Sequence, residues 1–242
     1  MTEQLSVRAR GPHVAQIWRF PVKSMRGEQL GSATLTDEGI VGDRVVHVRG
    51  HRGVVTARTR PGLLGLAATT APDGGILVDG RPWNSPAVAA AIHRVAGPGV
   101  EAVHYAGSER FDVMPLLVAT DGGIAALGHS GRRLRPNIVV GGVEGLAERS
   151  WPGRTLRIGE VVIGMLKLRS RCIVTTIDPD TGAQNLDVLR RINREFEGRV
   201  ALDCWVAHPG TIRVGDPVEV VDEYLEPPPR GGWIVGAPYA VP

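Results

Sequence analysis

The feature that most constrains the fold is a succession of short β-type runs separated by turn signals. In the first half of the chain these runs cover residues 14–20, 29–36, 42–48, 54–58 and 63–69. Glycine- and proline-rich turn segments divide them, and no long helical pattern lies between one run and the next. This spacing is typical of a small antiparallel barrel or sandwich, and it argues against βαβ units.

Strands dominate the second half as well, and three helices interrupt the β pattern. The further predicted strands are 100–105, 116–119, 136–140, 155–158, 161–168, 200–207, 211–214 and 218–221. A first helix is expected over 86–96, with Ser85 as its N-cap and Gly97 as its stop, and a short one over 121–127. A third carries its apolar stripe on Leu186, Leu189, Ile192 and Phe196. The fold class is therefore mostly β, of the α+β type.

Composition restricts the classes of partner. Of the 28 basic residues only Lys23 and Lys167 are lysines, an excess of arginine that suits phosphates but that a GC-rich genome would also produce. Aromatic residues make up 5%, and no basic run is interleaved with them, so nucleic-acid binding is not supported. No apolar run approaches the roughly 20 residues that span a membrane, and the N-terminus lacks a secretory signal. We expect a cytoplasmic protein.

The chain has two cysteines, Cys172 and Cys204, and they set its redox chemistry. Two thiols cannot assemble a four-cysteine iron–sulfur cluster, and their spacing is not that of a CxxC pair. A disulfide between them is disfavoured in a reducing compartment. Any electrons that the protein uses must come from another molecule.

Cys172 has the more informative surroundings. Arg169 and Arg171 flank it, and Ser170, Thr175 and Thr176 offer hydroxyl groups. Positive charge and hydrogen-bond donors stabilise a thiolate, so the segment suits a nucleophile, a redox sensor or a ligand of a soft metal. The competing interpretation is a small apolar residue that ends a buried strand, the usual position of a free cysteine. These local residues alone leave both open.

A series of short motifs, in order, points to a known family. They are VAQIWRFPVKS at 14–24, GDR at 42–44, TAR at 56–58, RPNI at 135–138, SRC at 170–172 followed by TT at 175–176, and PGTI at 209–212 followed by VGD at 214–216. Each motif is weak alone, but the series over residues 14–221 resembles MOSC-domain proteins. It is similar to the family that includes the mitochondrial amidoxime-reducing component and its bacterial relatives.

The resemblance implies an architecture and an activity. It predicts two β-barrel-like domains, an N-terminal MOSC-associated domain over 1–106 and a MOSC domain over 107–222, followed by a Pro/Gly-rich tail over 223–242. It implies a molybdenum-cofactor-dependent reductase of N-hydroxylated compounds, acting by oxygen-atom transfer with electrons from an external electron-transfer protein. A carrier of the cofactor, or of sulfur on Cys172, without turnover of its own is the alternative.

The resemblance also implies site residues. Cys172 is expected to be the protein ligand of molybdenum and the catalytic residue. The positions expected to hold the molybdopterin part of the molybdenum cofactor are Lys23, Ser24, Arg44, Arg58, Asp112, Arg135, Asn137, Ser170, Arg171 and Thr175. Val113-Met114 and Gly123 stand where eukaryotic relatives have hydroxyl residues, so some hydroxyl contacts are lost.

Other candidate sites are weaker. His47 and His51 are four residues apart, but Arg49-Gly50 between them indicates a turn and not a helix that would align a metal pair. Asp178 to Gly182 resembles a fragment of a calcium loop, yet its proline and missing downstream glutamate favour a plain turn. For Arg132 and Arg133, the sequence is equally compatible with an anion site and with a solvent-exposed edge.

Overall fold

The computed structural model describes residues 11–105 and 110–228. The predicted domain boundary at 106/107 and residues 229–242 of the predicted tail lie outside these residues. The strands of the described chain are β1 (His13–Arg19), β2 (Glu28–Leu30), β3 (Ser32–Thr36), β4 (Gly39–Ile40), β5 (Val46–Gly50), β6 (Gly53–Val55), β7 (Ala68–Thr70), β8 (Ile76–Val78), β9 (Arg81–Pro82), β10 (Val100–His104), β11 (Leu116–Thr120), β12 (Ile138–Gly141), β13 (Thr155–Ile158), β14 (Val161–Ser170), β15 (Arg199–His208), β16 (Gly210–Arg213) and β17 (Glu219–Val221). The α-helices are α1 (Pro86–Ala96), α2 (Asp121–Leu127) and α3 (Leu186–Glu195).

One sheet of eight strands organises the molecule. Its order is β17-β13-β14-β15-β11-β12-β1-β2, and three sheets of three strands each surround it, with orders β10-β5-β6, β16-β3-β4 and β7-β8-β9. The neighbours in the large sheet are antiparallel except for β11 and β12, which are parallel. These sheets are open, since β17 and β2 form the two edges of the largest one. The predicted mostly-β fold class is confirmed.

The two largest hydrophobic cores of the described residues hold the sheets together. The first combines Val14 and Ile17 of β1 and Leu35 of β3 with apolar residues of β11 to β15. The second packs α1 against β5, β7 and β8 through residues such as Val48 and Ile92. Because β1 and β2 are strands of the large sheet, the start of the chain shares a core with the second half. The division at 106/107 stays a prediction.

Capping residues lie at both ends of α1 and α2, and those of α1 are the predicted ones. Ser85 Oγ accepts a hydrogen bond from Val88 N at the start of α1, and Gly97 follows its last residue with a φ of +91°. Thr120 Oγ1 accepts from Gly123 N at 2.9 Å, and Gly128 closes α2 in the left-handed conformation. The predicted helices α1 and α2 are confirmed, and their caps satisfy backbone groups that have no partner inside a helix.

Three local expectations were wrong. The run 63–69 is not one strand, because Pro61–Gly65 forms a 3₁₀ helix that buries Leu63, and the strand β7 begins only at Ala68. Residues 42–44 form a turn before β5, since Gly42 and Arg44 have positive φ values of 81° and 55°. Leu186 is 44% exposed, because the face of α3 that reaches the core carries Val188 and Ile192, and a residue two positions before Val188 lies on the opposite face. Apolar content alone does not separate a strand from a buried turn of helix.

Gly164 supplies a test of the packing in the large sheet. A Cβ at this position would lie 2.2 Å from the indole of Trp205, its partner on β15, whereas a Cβ on Gly31 would meet open space. Gly164→Ala should therefore lower the free energy of unfolding by about 1–3 kcal/mol in urea titrations. The control Gly31→Ala should change it by less than about 0.5 kcal/mol. Equal values for the two variants would contradict the packing.

Candidate functional site

A single open pocket collects nearly all of the predicted site residues. Ten of the eleven predicted residues line it: Lys23, Ser24, Arg44, Arg58, Asp112, Arg135, Asn137, Ser170, Arg171 and Cys172. These residues come from loops of both halves of the chain, so the pocket depends on the way that the halves meet.

Cys172 lies at the pocket wall directly after β14 ends. It is half-buried and precedes a 3₁₀ helix over Ile173–Thr176. Thr175 Oγ1 donates to the Cys172 carbonyl at 2.8 Å, and the Thr175 N–H donates to the same oxygen at 3.1 Å. Thr175 is fully buried and is not part of the pocket lining. Thr175 therefore supports the backbone at Cys172 from behind. The sequence had predicted that Thr175 would contact the cofactor in the pocket.

Cys204 is a core residue. It lies on β15 and is fully buried among apolar side chains of the first core, and its Sγ lies 3.5 Å from Leu202 O. Burial raises the pKa of its thiol well above the usual value. A thiol in such surroundings is unreactive, so the two cysteines have different environments.

The pocket concentrates positive charge. Six cationic side chains line it, namely Lys23, Arg44, Arg58, Arg135, Arg169 and Arg171, against two carboxylates, Asp112 and Asp203. Of these residues, the sequence interpretation treated Arg169 only as a neighbour of Cys172, and it missed Asp203. A lone acid in the apolar strand sequence ALDCWV was the available signal, because carboxylates are rarely buried without a partner.

Asp112 connects three of the cations. Its Oδ1 lies 3.0 Å from Lys23 Nζ, and its Oδ2 lies 2.8 Å from Arg58 Nη2 and 3.2 Å from Arg169 Nη2. Lys23 also donates to the carbonyl of Arg110 at 2.8 Å. Burial lowers the pKa of Lys23, and the charge of Asp112 raises it in opposition. Asp112 therefore joins cations from the two halves of the chain.

Asp43, which lies behind the pocket wall, is a second carboxylate that holds a pocket cation in place. It is fully buried, and its carboxylate accepts hydrogen bonds from Phe20 N at 2.7 Å, from Asn137 Nδ2 at 3.2 Å and from Arg44. Asn137 Oδ1 accepts from Leu117 N and from Arg44 Nη1. Both ends of the Asn137 amide are thus occupied by protein groups. Asn137 and Asp43 orient Arg44, and Asp43 was recognised from sequence only as part of the GDR motif.

Arg135 differs from the other cations in lacking an ion pair. Its guanidinium lies over the Phe20 ring, 4.3 Å from the centroid, and no described residue makes a hydrogen bond or ion pair with its side chain. Burial, together with the nearby charge of Arg44, lowers the pKa of Arg135 to about 9. The group is still protonated at neutral pH, so it can bind an anion in the pocket.

Backbone strain is concentrated at the same pocket. Of the six described non-glycine residues with positive φ, three line it: Ser24 at 68°, Arg44 at 55° and Arg135 at 58°. Ser24 is held by the 2.9 Å hydrogen bond that its Oγ accepts from Ala57 N. Left-handed conformations of such residues are unfavourable, and they cluster where a site must present side chains in fixed directions.

The weaker sequence candidates lie elsewhere and have structural partners. Arg132 Nη1 donates to both oxygens of Asp180 at 2.7 Å, and Arg133 Nη2 lies 2.9 Å from Asp178 Oδ2. Asp178 Oδ1 accepts from two N–H groups of its own turn, as expected for a plain turn. His47 lies on β5 and is buried beside Tyr105, whereas His51 lies in an exposed turn.

The donor set of the pocket fits one kind of metal group. In residues 11–105 and 110–228 no cluster of three or more His, Cys, Asp or Glu side chains is arranged to hold a metal. A metal bound to Cys172 can take its other ligands from a non-protein molecule. The surrounding cations suit an anionic organic ligand that carries phosphate. The pocket residues thus fit a phosphate-bearing cofactor whose metal accepts one thiolate.

Comparison with known families divides the chain into two matched regions. The family described as "MOSC N-terminal beta barrel domain" matches residues 11–103, and the family described as "MOSC domain" matches residues 121–219. The two regions contain most of the pocket residues, and Asp112 lies in the segment between them. Among the described residues, no helix has the length and apolar character needed to cross a membrane.

Two of the named relatives match most of the chain, and a third matches a shorter part of it. Mitochondrial amidoxime-reducing component 1 of Homo sapiens is 28% identical over 285 residues, covering 87% of this chain and 83% of the relative. The protein of the same name from Mus musculus is 25% identical over 283 residues, covering 87% and 82%. Molybdenum cofactor sulfurase 2 of Culex quinquefasciatus is 31% identical over 99 residues, covering 38% of this chain and 13% of that protein.

Asp112 supplies a test of the electrostatics of the pocket. Asp112→Asn removes the carboxylate that three cations share, so it should lower the free energy of unfolding by about 1–3 kcal/mol at low salt. Added salt should reduce this loss, because it screens the remaining repulsion. The control is Asp222→Asn, whose side chain is 88% exposed. A loss that is independent of ionic strength, measured by thermal and urea unfolding, would contradict the charge argument.

Proposed function

Because the chain belongs to the MOSC-domain proteins, we propose that it is a molybdenum-cofactor-dependent reductase of N-hydroxylated compounds. The observation that carries this proposal is the half-buried thiol of Cys172 in the wall of a pocket that six cations line. A soft thiolate is a suitable ligand for molybdenum, and guanidinium groups are suited to the phosphate of a pterin. The names of the amidoxime-reducing relatives give the proposed reaction class.

The chain's own residues would hold the cofactor in distinct ways. Cys172 is the candidate metal ligand, and the guanidinium of Arg135 is the group best placed by its lack of an ion pair to bind phosphate. Arg44, Arg58 and Arg171 add positive charge, and Ser24 and Ser170 add polar groups at the same wall. Asn137 acts indirectly, because its amide is already occupied in orienting Arg44.

When bound, the cofactor supplies the two-electron chemistry that removes oxygen from nitrogen. Overall, the N–OH compound, two electrons and two protons become an N–H compound and water. The protein binds and orients the substrate beside Cys172 and surrounds the reacting group with fixed charges. Lys23 is a candidate proton donor in the pocket, because burial lowers the pKa of its ammonium group.

The electrons would come from an external electron-transfer protein. Cys204 is enclosed in the core, and Cys172 is the proposed metal ligand, so neither supports a redox relay of thiols within this chain. The pocket is open to solvent, which gives a donor protein an approach to the bound cofactor. We place this reaction in the cytoplasm, where thiols stay reduced.

A cofactor carrier is the second candidate, favoured by the matched segment of a relative named molybdenum cofactor sulfurase 2. A carrier would hold the cofactor, or a sulfur atom on Cys172, and release it to an acceptor protein. It would show no steady turnover of benzamidoxime with a chemical reductant. Continuous turnover under those conditions would reject the carrier and support the reductase.

The role of Cys172 is tested by metal and pterin analysis of protein made in a host that synthesises the cofactor. Wild type should contain near-stoichiometric molybdenum and pterin, and Cys172→Ala should lose the molybdenum, because the variant lacks the thiolate. The matched control Cys204→Ala should retain it, because Cys204 lies in the core. Cys172→Ser should remain folded and lose reduction of N-hydroxylated compounds. Absence of both molybdenum and pterin from wild type would disprove the proposal.

Arg135 provides a separate test of cofactor retention. Arg135→Ala removes the guanidinium that has no protein ion-pair partner, and the affinity for the pterin should fall about tenfold with the loss of one charge-assisted contact. Arg132→Ala is the control, because Arg132 is already paired with Asp180. Pterin content after extensive dialysis, measured by fluorescence of the oxidised product, separates the two variants. Equal retention would remove Arg135 from the cofactor site.

A further inference from the structure

Asp203 is a pocket carboxylate to which the proposed function gives no role. It lies on β15, is only 1% exposed, and forms part of the pocket lining with Cys172. Its Oδ1 accepts a 2.9 Å hydrogen bond from Arg169 Nη1. Its Oδ2 is enclosed, and no donor among the described residues reaches it. A buried carboxylate oxygen without a donor is unfavourable, so its presence requires an explanation.

A second unsatisfied atom, of opposite polarity, belongs to Arg171, another residue of the pocket lining. Arg171 Nη2 donates to Leu134 O at 2.7 Å, but its Nε–H finds no acceptor within residues 11–105 and 110–228. Burial raises the pKa of Asp203, and the positive charges of Arg169 and Arg171 oppose that rise. Arg171 and Asp203 are therefore close enough to influence each other electrostatically. One unpaired acceptor and one unpaired donor on these two residues match the needs of a hydroxyl group, which donates once and accepts as well.

We propose that Asp203 is a specificity-determining residue that selects substrates with a hydroxyl group on nitrogen over N-oxides. Asp203 Oδ2 accepts the hydrogen bond of the substrate N–O–H group, and Arg171 Nε–H donates to the oxygen of that group. The inference rests on the proposed function and adds to it the recognition of the reacting group. An N-oxide has no hydrogen on its oxygen, so it leaves the Asp203 oxygen unpaired and brings negative charge towards it.

This arrangement discriminates more strongly than an apolar pocket could. A site built to receive a donor rejects an analogue that lacks the donor, because its own buried polar group is then left without a partner. The cations of the pocket by themselves would favour the negative oxygen of an N-oxide. Asp203 reverses that preference at the point where the hydroxyl group binds.

The test measures binding without turnover. Molybdenum-loaded, oxidised protein without reductant is titrated in a calorimeter with benzamidoxime, with its O-methyl ether and with pyridine N-oxide. Wild type should bind benzamidoxime about tenfold more tightly than the ether, as expected for one hydrogen bond to a charged group. Pyridine N-oxide should bind more weakly than benzamidoxime. The ether has nearly the same shape but no hydroxyl hydrogen.

Asp203→Asn keeps the size of the side chain and removes its charge. We expect its affinity for benzamidoxime to fall about tenfold, to that of the ether, while the affinity for the ether is unchanged. Its amide can donate to an N-oxide, so binding of pyridine N-oxide should improve. Asp222→Asn, an exposed carboxylate outside the pocket, should match wild type for all three ligands.

Two results would overturn the inference. One is wild-type protein that binds benzamidoxime and its ether equally, a comparison that does not depend on how well the variant folds. The other is an Asp203→Asn protein that loses affinity for both ligands by the same factor. These results differ from a failure of the proposed function, in which the purified protein contains no molybdenum or pterin, and which would overturn both.

Discussion

Repulsion among six cations in one pocket is the constraint on which the rest of this site depends. Side chains of like charge can converge only where carboxylates or a bound anion compensate them. Asp112 joins three of the cations, and Asp203 holds Arg169 from the other side. Asp43 fixes Arg44 from behind. Arg135 is left with an aromatic neighbour and no ion pair, so positive charge remains for a ligand.

The sheet topology makes this convergence possible. β1 enters the large sheet beside β12, which places the loop containing Lys23 and Ser24 next to Arg135 and Asn137. The ends of β14 and of the segment before β11 then bring Arg169 and Asp112 to the same pocket. The pocket therefore depends on segments from both halves of the chain, and Asp112, which lies between the two matched regions, forms ion pairs with cations of both.

Rigidity gives the site its chemical character. Ser24, Arg44 and Arg135 are held in left-handed backbone conformations, and Cys172 precedes a 3₁₀ helix that Thr175 and Thr176 stabilise by bonding to backbone carbonyls. Groups held in place in this way need little reorganisation when a ligand binds, which is the condition under which fixed charges stabilise a reacting group. The core position of Cys204 leaves Cys172 as the thiol that borders the pocket.

The sequence by itself determined the mostly-β class, because alternating runs and turn residues act locally, and the caps at Ser85 and Gly97 located α1 for the same reason. Nine of the ten predicted residues that line the pocket lie within the short motifs that carry the resemblance, and the tenth, Asp112, came from the resemblance outside these motifs. The sequence could not reveal that Thr175 is buried behind Cys172, that Leu186 is exposed, or that residues 63–65 are helical, because tertiary packing decides how an apolar or polar side chain is oriented. Only the tertiary structure identified Asp203 and Arg169 as parts of the pocket, because the residues that they contact there are distant in sequence. Burial, which a local sequence pattern does not reveal, leaves one oxygen of Asp203 without a donor.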